Sequence, residues 1–260
     1  MPKTTPAYRR PFAAIRTAHG RLWRPSRLLP QKAWTSAMTM AAFGALLAVA
    51  AVMPFDEKIM RAVIASGLPM KSFMAAITDV GKSEWYLVPA ALLFFVSAFA
   101  DWSLRNTRGK ARLAMLFGQS AWFFGAVALS GIAVNIIKLG FGRARPKLID
   151  SAGAWDFTPF STGYLHASFP SGHATTMGAV GAALVIWFPR WRLPFFILAL
   201  FGASTRIAAQ AHYPSDVAAG FAFGFLFSLQ LARVLARRQA VFKLSKGRLL
   251  PSMRSGAGDT

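Results

Sequence analysis

"LAMLFGQSAWFFGAVALSGIAVNIIKLGFGRARPK", residues 113 to 147, decides how this chain folds. Residues 113–137 carry no charged side chain, and an apolar run of about 20 residues is enough to cross a bilayer as a helix. Directly after it come Lys138, Arg143, Arg145 and Lys147, with no acid among them. Gly140, Gly142 and Pro146 interrupt any regular helix there. An apolar helix that ends in a group of cations raises two questions: on which side of the membrane they lie, and which anion they meet.

Working outward, the hydropathy pattern repeats. The chain has 260 residues, 55% of them hydrophobic, and apolar stretches fall at about 33–53, 85–100, 113–137, 174–189, 193–211 and 216–236. The expected fold is all-α, a bundle of six transmembrane helices. Trp34, Trp85, Trp102, Trp187 and Trp191 stand near the predicted boundaries, as aromatic belts do. No internal repeat is visible. The expected organisation is a basic cytoplasmic segment at 1–32, a transmembrane domain at 33–238 and a basic, flexible tail at 239–260. With no cysteine, disulfides and thiolate metal sites are excluded.

The net charge is +21, from 30 basic and 9 acidic residues. In a soluble protein that balance points to nucleic acid; here the charges follow the membrane instead, so no nucleic-acid partner is expected. Basic residues crowd the segment before the first span, the 101–112 connection, the 190–192 turn and the tail. These alternate with less basic connections, which the positive-inside rule reads as six spans with both termini cytoplasmic. The N-terminal segment is a topology signal, with binding of anionic headgroups as its alternative reading. A cleaved signal peptide is not expected, because no apolar core of the right length lies within the first 30 residues. The connections near 54–84, 138–173 and 206–216 then face outward, into the periplasm if the membrane is a bacterial inner membrane. The cations of 138–147 run against the charge bias and call for a functional explanation.

Each outer connection carries polar groups at helix ends. "TDVGKSEWY", residues 78–86, holds Asp79, Lys82 and Glu84. It reads either as a turn with an interfacial Trp85 or as a wall or lid of an outward-facing site. "FPSGHATTMG", residues 169–178, offers Ser171 as an N-cap, and the helix after it aims its N–H groups outward, ready for an anion. "STRIAAQAHYPSDVAAG", residues 204–220, places Arg206, His212 and Asp216 around Pro214. Alone, Asp216 has an ordinary explanation as a helix-dipole partner. Together the loops supply Lys138, Arg145 and Arg206 as cations, His173 and His212 as imidazoles, and Asp216 as a carboxylate. That set fits phosphoryl transfer without a metal.

The transition state of phosphoryl transfer spreads negative charge over its equatorial oxygens. Arginine grips such oxygens bidentately and keeps its proton. Backbone N–H groups at Ser171, Gly172 and His173 complete an oxyanion cradle in this reading. A histidine paired with a carboxylate is held in one tautomer with its other nitrogen free to attack, which fits His212 with Asp216. His173 fits the general acid. His166 and His19 are read as structural.

"KLGFGRARP", "PSGH" and "TRIAAQAHYPSD" resemble the three signature motifs of the type 2 phosphatidic acid phosphatase superfamily. The pattern is Lys, six residues, Arg-Pro; then Pro-Ser-Gly-His; then Ser-Arg, five residues, His, three residues, Asp. All spacings match, with Thr205 where the family usually has Ser. The resemblance implies a six-span membrane enzyme, independent of metal or other cofactor, working through a phosphohistidine. By the same resemblance Lys138, Arg145, Arg206, Ser171 and Gly172 bind phosphate, His173 is the acid, His212 the nucleophile and Asp216 its orienting partner. Arg143 and Lys147 receive no family role; they are expected to attract headgroups or simply to be solvated.

A site at the outer membrane boundary suits a lipid phosphate or diphosphate. Lipid A is favoured on general similarity to bacterial enzymes of this class; undecaprenyl diphosphate, phosphatidylglycerophosphate and phosphatidate are the alternatives. Trp155, Phe157, Phe160 and Tyr164 either dip into the interface or pack the 147–169 loop. Vanadium haloperoxidases share such a site but are soluble. A headgroup-binding transporter or scaffold has no need of His212 and Asp216 at this spacing.

Overall fold

The structure, a computed structural model, describes residues 6–22, 29–67 and 69–254. Helix dominates it. In chain order the helices are α1 (Arg10–Leu22), α2 (Ser36–Val52), α3 (Asp56–Ala65), α4 (Pro69–Ala76), α5 (Glu84–Phe99), α6 (Thr107–Phe141), α7 (Gly172–Trp187), α8 (Arg192–Ala208) and α9 (Pro214–Arg237). Short strands β1 (Phe242–Lys243) and β2 (Ser252–Met253) pair antiparallel after them.

Each of the six expected apolar stretches is helical, but they do not all have the length of a span. The runs Ser36–Ala65, α6 and α9 are long and apolar enough to cross a membrane. α7 and α8 meet that standard only as a pair, bent by 120°, and α5 is shorter still than a span requires. Helices of 16 or 17 residues reach roughly 25 Å at the α-helical rise, against a hydrocarbon core of about 30 Å. The described residues therefore give three spans by length and composition, or four if the bent pair is one. The short helices have local causes. Pro189 and the Arg190–Arg192 turn cut one apolar run in two, and Asp101 lies just past the end of α5.

The chain forms two compact units. One comprises residues 1–35, 84–125 and 229–260. There α1 lies on α5, with Ala14, Ala98 and Phe117 in one buried cluster. Arg10 closes the edge through Asp101 at 3.0 Å. Tyr8, Phe12 and Ile15 remain exposed on α1 and just before it. Within the stretch expected as a tail, Phe242 is wholly buried, edge-on to Trp122 with ring centres 4.9 Å apart. The buried Arg233 guanidinium donates to the carbonyls of Lys32, Ala33, Arg248 and Leu249. One side chain thus fastens both chain ends of this unit.

The other unit, residues 36–83 and 126–228, contains every candidate site residue. Its centre is α7, whose Ala174–Ala183 stretch is buried throughout. Small residues there let neighbouring backbones approach, as is usual between membrane helices. The closest approach is to α9. A Cβ added at Gly220 would sit 2.3 Å from the Ser171 carbonyl oxygen, and one at Gly224 would sit 2.0 Å from that of Thr175. Gly220 and Gly224 form a G-x-x-x-G pair, so α9 lays a flat stripe along α7. The contact fixes the two helix starts side by side, and Ser171 N–H donates to the Asp216 carbonyl at 2.9 Å.

The segment after α6 folds back over the same end. Gly142 takes φ +58°, and a Cβ there would overlap the Thr158 carbonyl. Beyond it the chain is extended: Arg143 bridges Phe157, Ala144 N–H donates to Asp156, and Arg145 N–H donates to Leu165. The turn Thr78–Gly81 packs against α7 and α8.

The glycine stripe yields the first prediction. Gly224→Ala should lower the thermal unfolding midpoint of the detergent-solubilised protein, an overpacking cost of about 1–3 kcal/mol. Gly131→Ala, where an added Cβ meets nothing within 4 Å, should leave the midpoint unchanged or raise it.

Candidate functional site

The site is assembled from helix ends. Lys138 lies in the last turn of α6 and Arg206 in the last turn of α8. Gly172 and His173 open α7, and Asp216 lies in the first turn of α9. Helix C-termini carry partial negative charge and N-termini partial positive charge, so each fixed charge sits where its own helix favours it. Ser171 is the N-cap that the sequence predicts, its hydroxyl accepting from Ala174 N–H at 3.4 Å.

Three cations converge. Lys138 Nζ donates to the Ala167 carbonyl at 3.1 Å, and Arg145 Nη2 donates to the same oxygen at 3.1 Å. Arg145 is further held by the Tyr164 carbonyl and hydroxyl and by the Ala211 carbonyl, with its guanidinium 4.0 Å above the Tyr164 ring. Burial lowers the Arg145 pKa, opposed by Tyr164 and Asp216; an arginine stays charged regardless. Arg206 Nη1 donates to Thr78 Oγ1 at 3.0 Å, and its Nε is buried with no hydrogen-bond partner. The Thr205 hydroxyl donates to the Gly202 carbonyl at 2.7 Å and reaches Thr78 Oγ1 at 3.2 Å.

His212 is buried between the cations and the carboxylate. Its Nε2 is 3.4 Å from Arg145 Nη1 and its Nδ1 is 3.7 Å from Asp216 Oδ2. That last separation is electrostatic contact rather than a hydrogen bond. Burial pushes the imidazole down to about 3, with Arg145 adding to the shift and Asp216 opposing it. The ring is therefore neutral at pH 7. The Asp216 carboxylate beside Nδ1 favours the tautomer protonated there, and the Arg145 Nη1 donor at 3.4 Å favours a lone pair on Nε2. A neutral imidazole with its lone pair directed at a group of cations can attack an anion they hold.

His173 is half-buried and packs against the 78–81 turn: a Cβ at Gly81 would lie 2.9 Å from its own. Asp79 in that turn is held below its ordinary pKa by the Lys82 ammonium at 2.7 Å, with His173 and Arg206 adding to the effect. The 78–82 stretch thus packs beside the same helix ends that carry His173 and Arg206.

Two expectations are corrected. Arg143 neither meets headgroups nor is solvated. It is wholly buried, pairing with Asp216 Oδ1 at 2.7 Å and Asp56 Oδ2 at 2.9 Å. Its guanidinium also lies 4.5 Å over the Tyr213 ring. Lys147, two residues beyond Arg145, is exposed. In addition, the Ser171 N–H is not available to a cradle, because the Asp216 carbonyl takes it. The remaining first-turn N–H groups of α7 are those that have no intrahelical partner. His166 pairs with Asp156 at 3.4 Å, and the side chain of His19 lies outside the described residues.

Sequence reasoning misses Asp56 altogether. It opens α3 and accepts from Ser215 N–H at 3.0 Å as well as from the Ser215 hydroxyl. No local pattern marks it, since its partners lie 87 and 159 residues away. Arg143 did carry a signal: in an extended segment residues 143 and 145 share a face, so an inward Arg145 brings Arg143 inward. Among the described residues no three His, Asp or Glu side chains group to hold a metal ion.

Comparisons with known proteins identify relatives of this chain. Residues 119–240 match the PAP2 superfamily. A protein of Rhizobium johnstonii named lipid A 1-phosphatase is 37% identical over 226 residues, covering 86% of this chain and 91% of that one. Another of that name from Rhizobium etli is 42% identical over 176 residues, 68% of this chain and 76% of its own. Among solved structures, the fold is similar to a transmembrane PAP2-type phosphatidylglycerolphosphate phosphatase from Bacillus subtilis. The TM-score is 0.51 at 19% identity, over 75% of this chain and 93% of that one.

The state of His212 is measurable. In the ring-nitrogen NMR spectrum of histidine-labelled protein, His212 should stay neutral and Nδ1-protonated from pH 8 to about pH 4. A folded pKa near 3 against about 6.5 unfolded means the unfolded chain binds the extra proton first. Folding stability from this group is therefore full above pH 6.5 and is lost as pH falls toward 3.

Proposed function

This chain belongs to the PAP2 superfamily and is a lipid phosphatase, and we propose that it removes the 1-phosphate of lipid A at the periplasmic face through a phosphohistidine on His212. The observation that carries the proposal is the buried His212 ring set between Arg145 and Asp216. The lipid is chosen on the two relatives named lipid A 1-phosphatase.

In this reading Lys138, Arg145 and Arg206 hold the phosphoryl oxygens, with the α7 N-terminus at Gly172 adding its dipole. Ser171 acts as the cap that shapes that terminus. The Nε2 lone pair of His212 attacks phosphorus, and the bond from phosphorus to the lipid oxygen breaks. His173 gives its proton to that oxygen, so the lipid leaves as a neutral alcohol. The phosphorylated ring keeps its Nδ1 proton and is cationic, and Asp216 stabilises that charge. Neutral His173 then takes a proton from water as the water oxygen attacks phosphorus. The P–N bond breaks, and inorganic phosphate departs with His212 neutral again.

We further propose that the short helices complete six crossings of a bacterial inner membrane with both termini cytoplasmic, the basic residues at 1–32 and 239–260 facing anionic headgroups. Trp155, Phe160 and Tyr164 are exposed on the loop beside Arg145; such side chains favour the membrane–water boundary. That arrangement lets a headgroup reach the cations while its acyl chains stay in the bilayer.

Two measurements test this. The purified protein should release phosphate from lipid A faster than from phosphatidate, phosphatidylglycerophosphate or undecaprenyl diphosphate. That activity should be insensitive to EDTA, inhibited by vanadate and abolished in His212→Ala; strict metal dependence would overturn the mechanism. The chain has no cysteine, so single cysteines report topology directly. In intact spheroplasts a membrane-impermeant maleimide should label Phe160→Cys and spare Arg105→Cys and Arg190→Cys.

A further inference from the structure

Two carboxylates among the described residues have no exposure at all, Asp216 and Asp56. The chemistry above uses only the first. We propose that Asp56 is a positioning residue for phosphoryl transfer: acting through Arg143, it fixes the Asp216 carboxylate and keeps the charge of Asp216 available to His212. The inference rests on the reading of His212 as nucleophile.

The geometry is that of a closed network. Every N–H of the Arg143 guanidinium is used. Nε donates to the Ala154 carbonyl, Nη1 to Ser215 Oγ and Asp216 Oδ1, and Nη2 to Asp56 Oδ2 and the Ala154 carbonyl. An arginine has five such donors and no acceptor, so nothing remains for a headgroup or for phosphate. Because Oδ1 of Asp216 is taken by Arg143, Oδ2 is left for Ser168 Oγ at 2.6 Å, Tyr213 N–H at 2.9 Å and the His212 ring. Arg143 thereby sets the rotation of the one carboxylate that faces the nucleophile.

Asp56 supplies what Arg143 alone would remove. Its oxygens face Arg143 Nη2, the Ser215 N–H and the Ser215 hydroxyl. The first two can only donate, so they favour Asp56 as the anion. With both carboxylates ionised, one guanidinium between them leaves the network net negative while every member is buried. When Nε2 bonds to phosphorus while Nδ1 keeps its proton, the ring becomes positive, and this excess charge is what opposes it. With Asp56 neutral, Arg143 and Asp216 would form a self-compensated pair and the pull on the ring would weaken. Ser215 also ties α3 to the start of α9, so Asp56 holds the backbone that carries Asp216.

A residue of this kind affects turnover more than ground-state binding. In the full-length protein, Asp56→Asn should lower kcat about 10- to 100-fold, by analogy with the loss of an outer-shell partner of a metal-bound histidine. KM and inhibition by inorganic phosphate should stay close to wild type, because Lys138, Arg145 and Arg206 are untouched. Asp56→Glu should recover part of the loss, since it restores the charge. If Asp56→Asn does not fold, Arg143→Lys keeps a cation between the carboxylates without the fork and should show the same split. A kcat near wild type in Asp56→Asn overturns the proposal. So does a parallel loss of phosphate inhibition and turnover with no recovery in Asp56→Glu, which marks a purely structural role. A readout independent of turnover is the His212 ring-nitrogen signal, which should move in ligand-free Asp56→Asn; an unmoved signal also overturns the proposal. Retained activity in His212→Ala would instead sink the phosphohistidine reading itself.

Discussion

Arg143 has no contact with solvent, yet it carries a full charge between Asp56 and Asp216. Taking such a group out of water is costly, and removing one partner of a buried ion pair costs about 3–5 kcal/mol. The site depends on this constraint. Arg143 belongs to the segment after α6, Asp56 to the start of α3 and Asp216 to the start of α9. With these fixed, Arg145 two residues on and His212 four residues before Asp216 have little freedom left. The groups proposed to hold phosphate are thus positioned by an interaction that takes no part in holding it.

A second constraint works on the backbone. The stripe formed by Gly220 and Gly224 lets α9 lie against α7, so that two positive helix ends lie side by side. Like ends repel, and the Asp216 side chain at one of them, with its carbonyl receiving Ser171 N–H, offsets that repulsion. Fold and site are therefore a single problem here. The residues that let the helices touch also decide where the carboxylate and the imidazole lie.

Much of this was legible in the sequence. Six apolar stretches announced six helices, because a long uncharged run has few other stable forms. The spacing of Lys138 and Arg145, of Ser171 and His173, and of Arg206, His212 and Asp216 marked a set of residues that the structure brings to one place, because helix ends present such residues at fixed offsets. The span count was less legible, since hydropathy averages across Pro189 and does not report a 120° bend. Arg143 was misread because a run of cations beside a membrane resembles a solvated face, and charge counting cannot see a counter-ion 87 residues away. Asp56 escaped for the complementary reason: an acid at a helix start always has a sufficient local explanation.

The Ala167 carbonyl receives both Lys138 Nζ and Arg145 Nη2. Two cations side by side repel, and an oxygen that both can grip offsets part of that repulsion. The grip belongs to the main chain, so a change of side chain at 167 does not remove it. The separation of the pair is thus written into the path of the loop, not into a residue that a point mutation can erase.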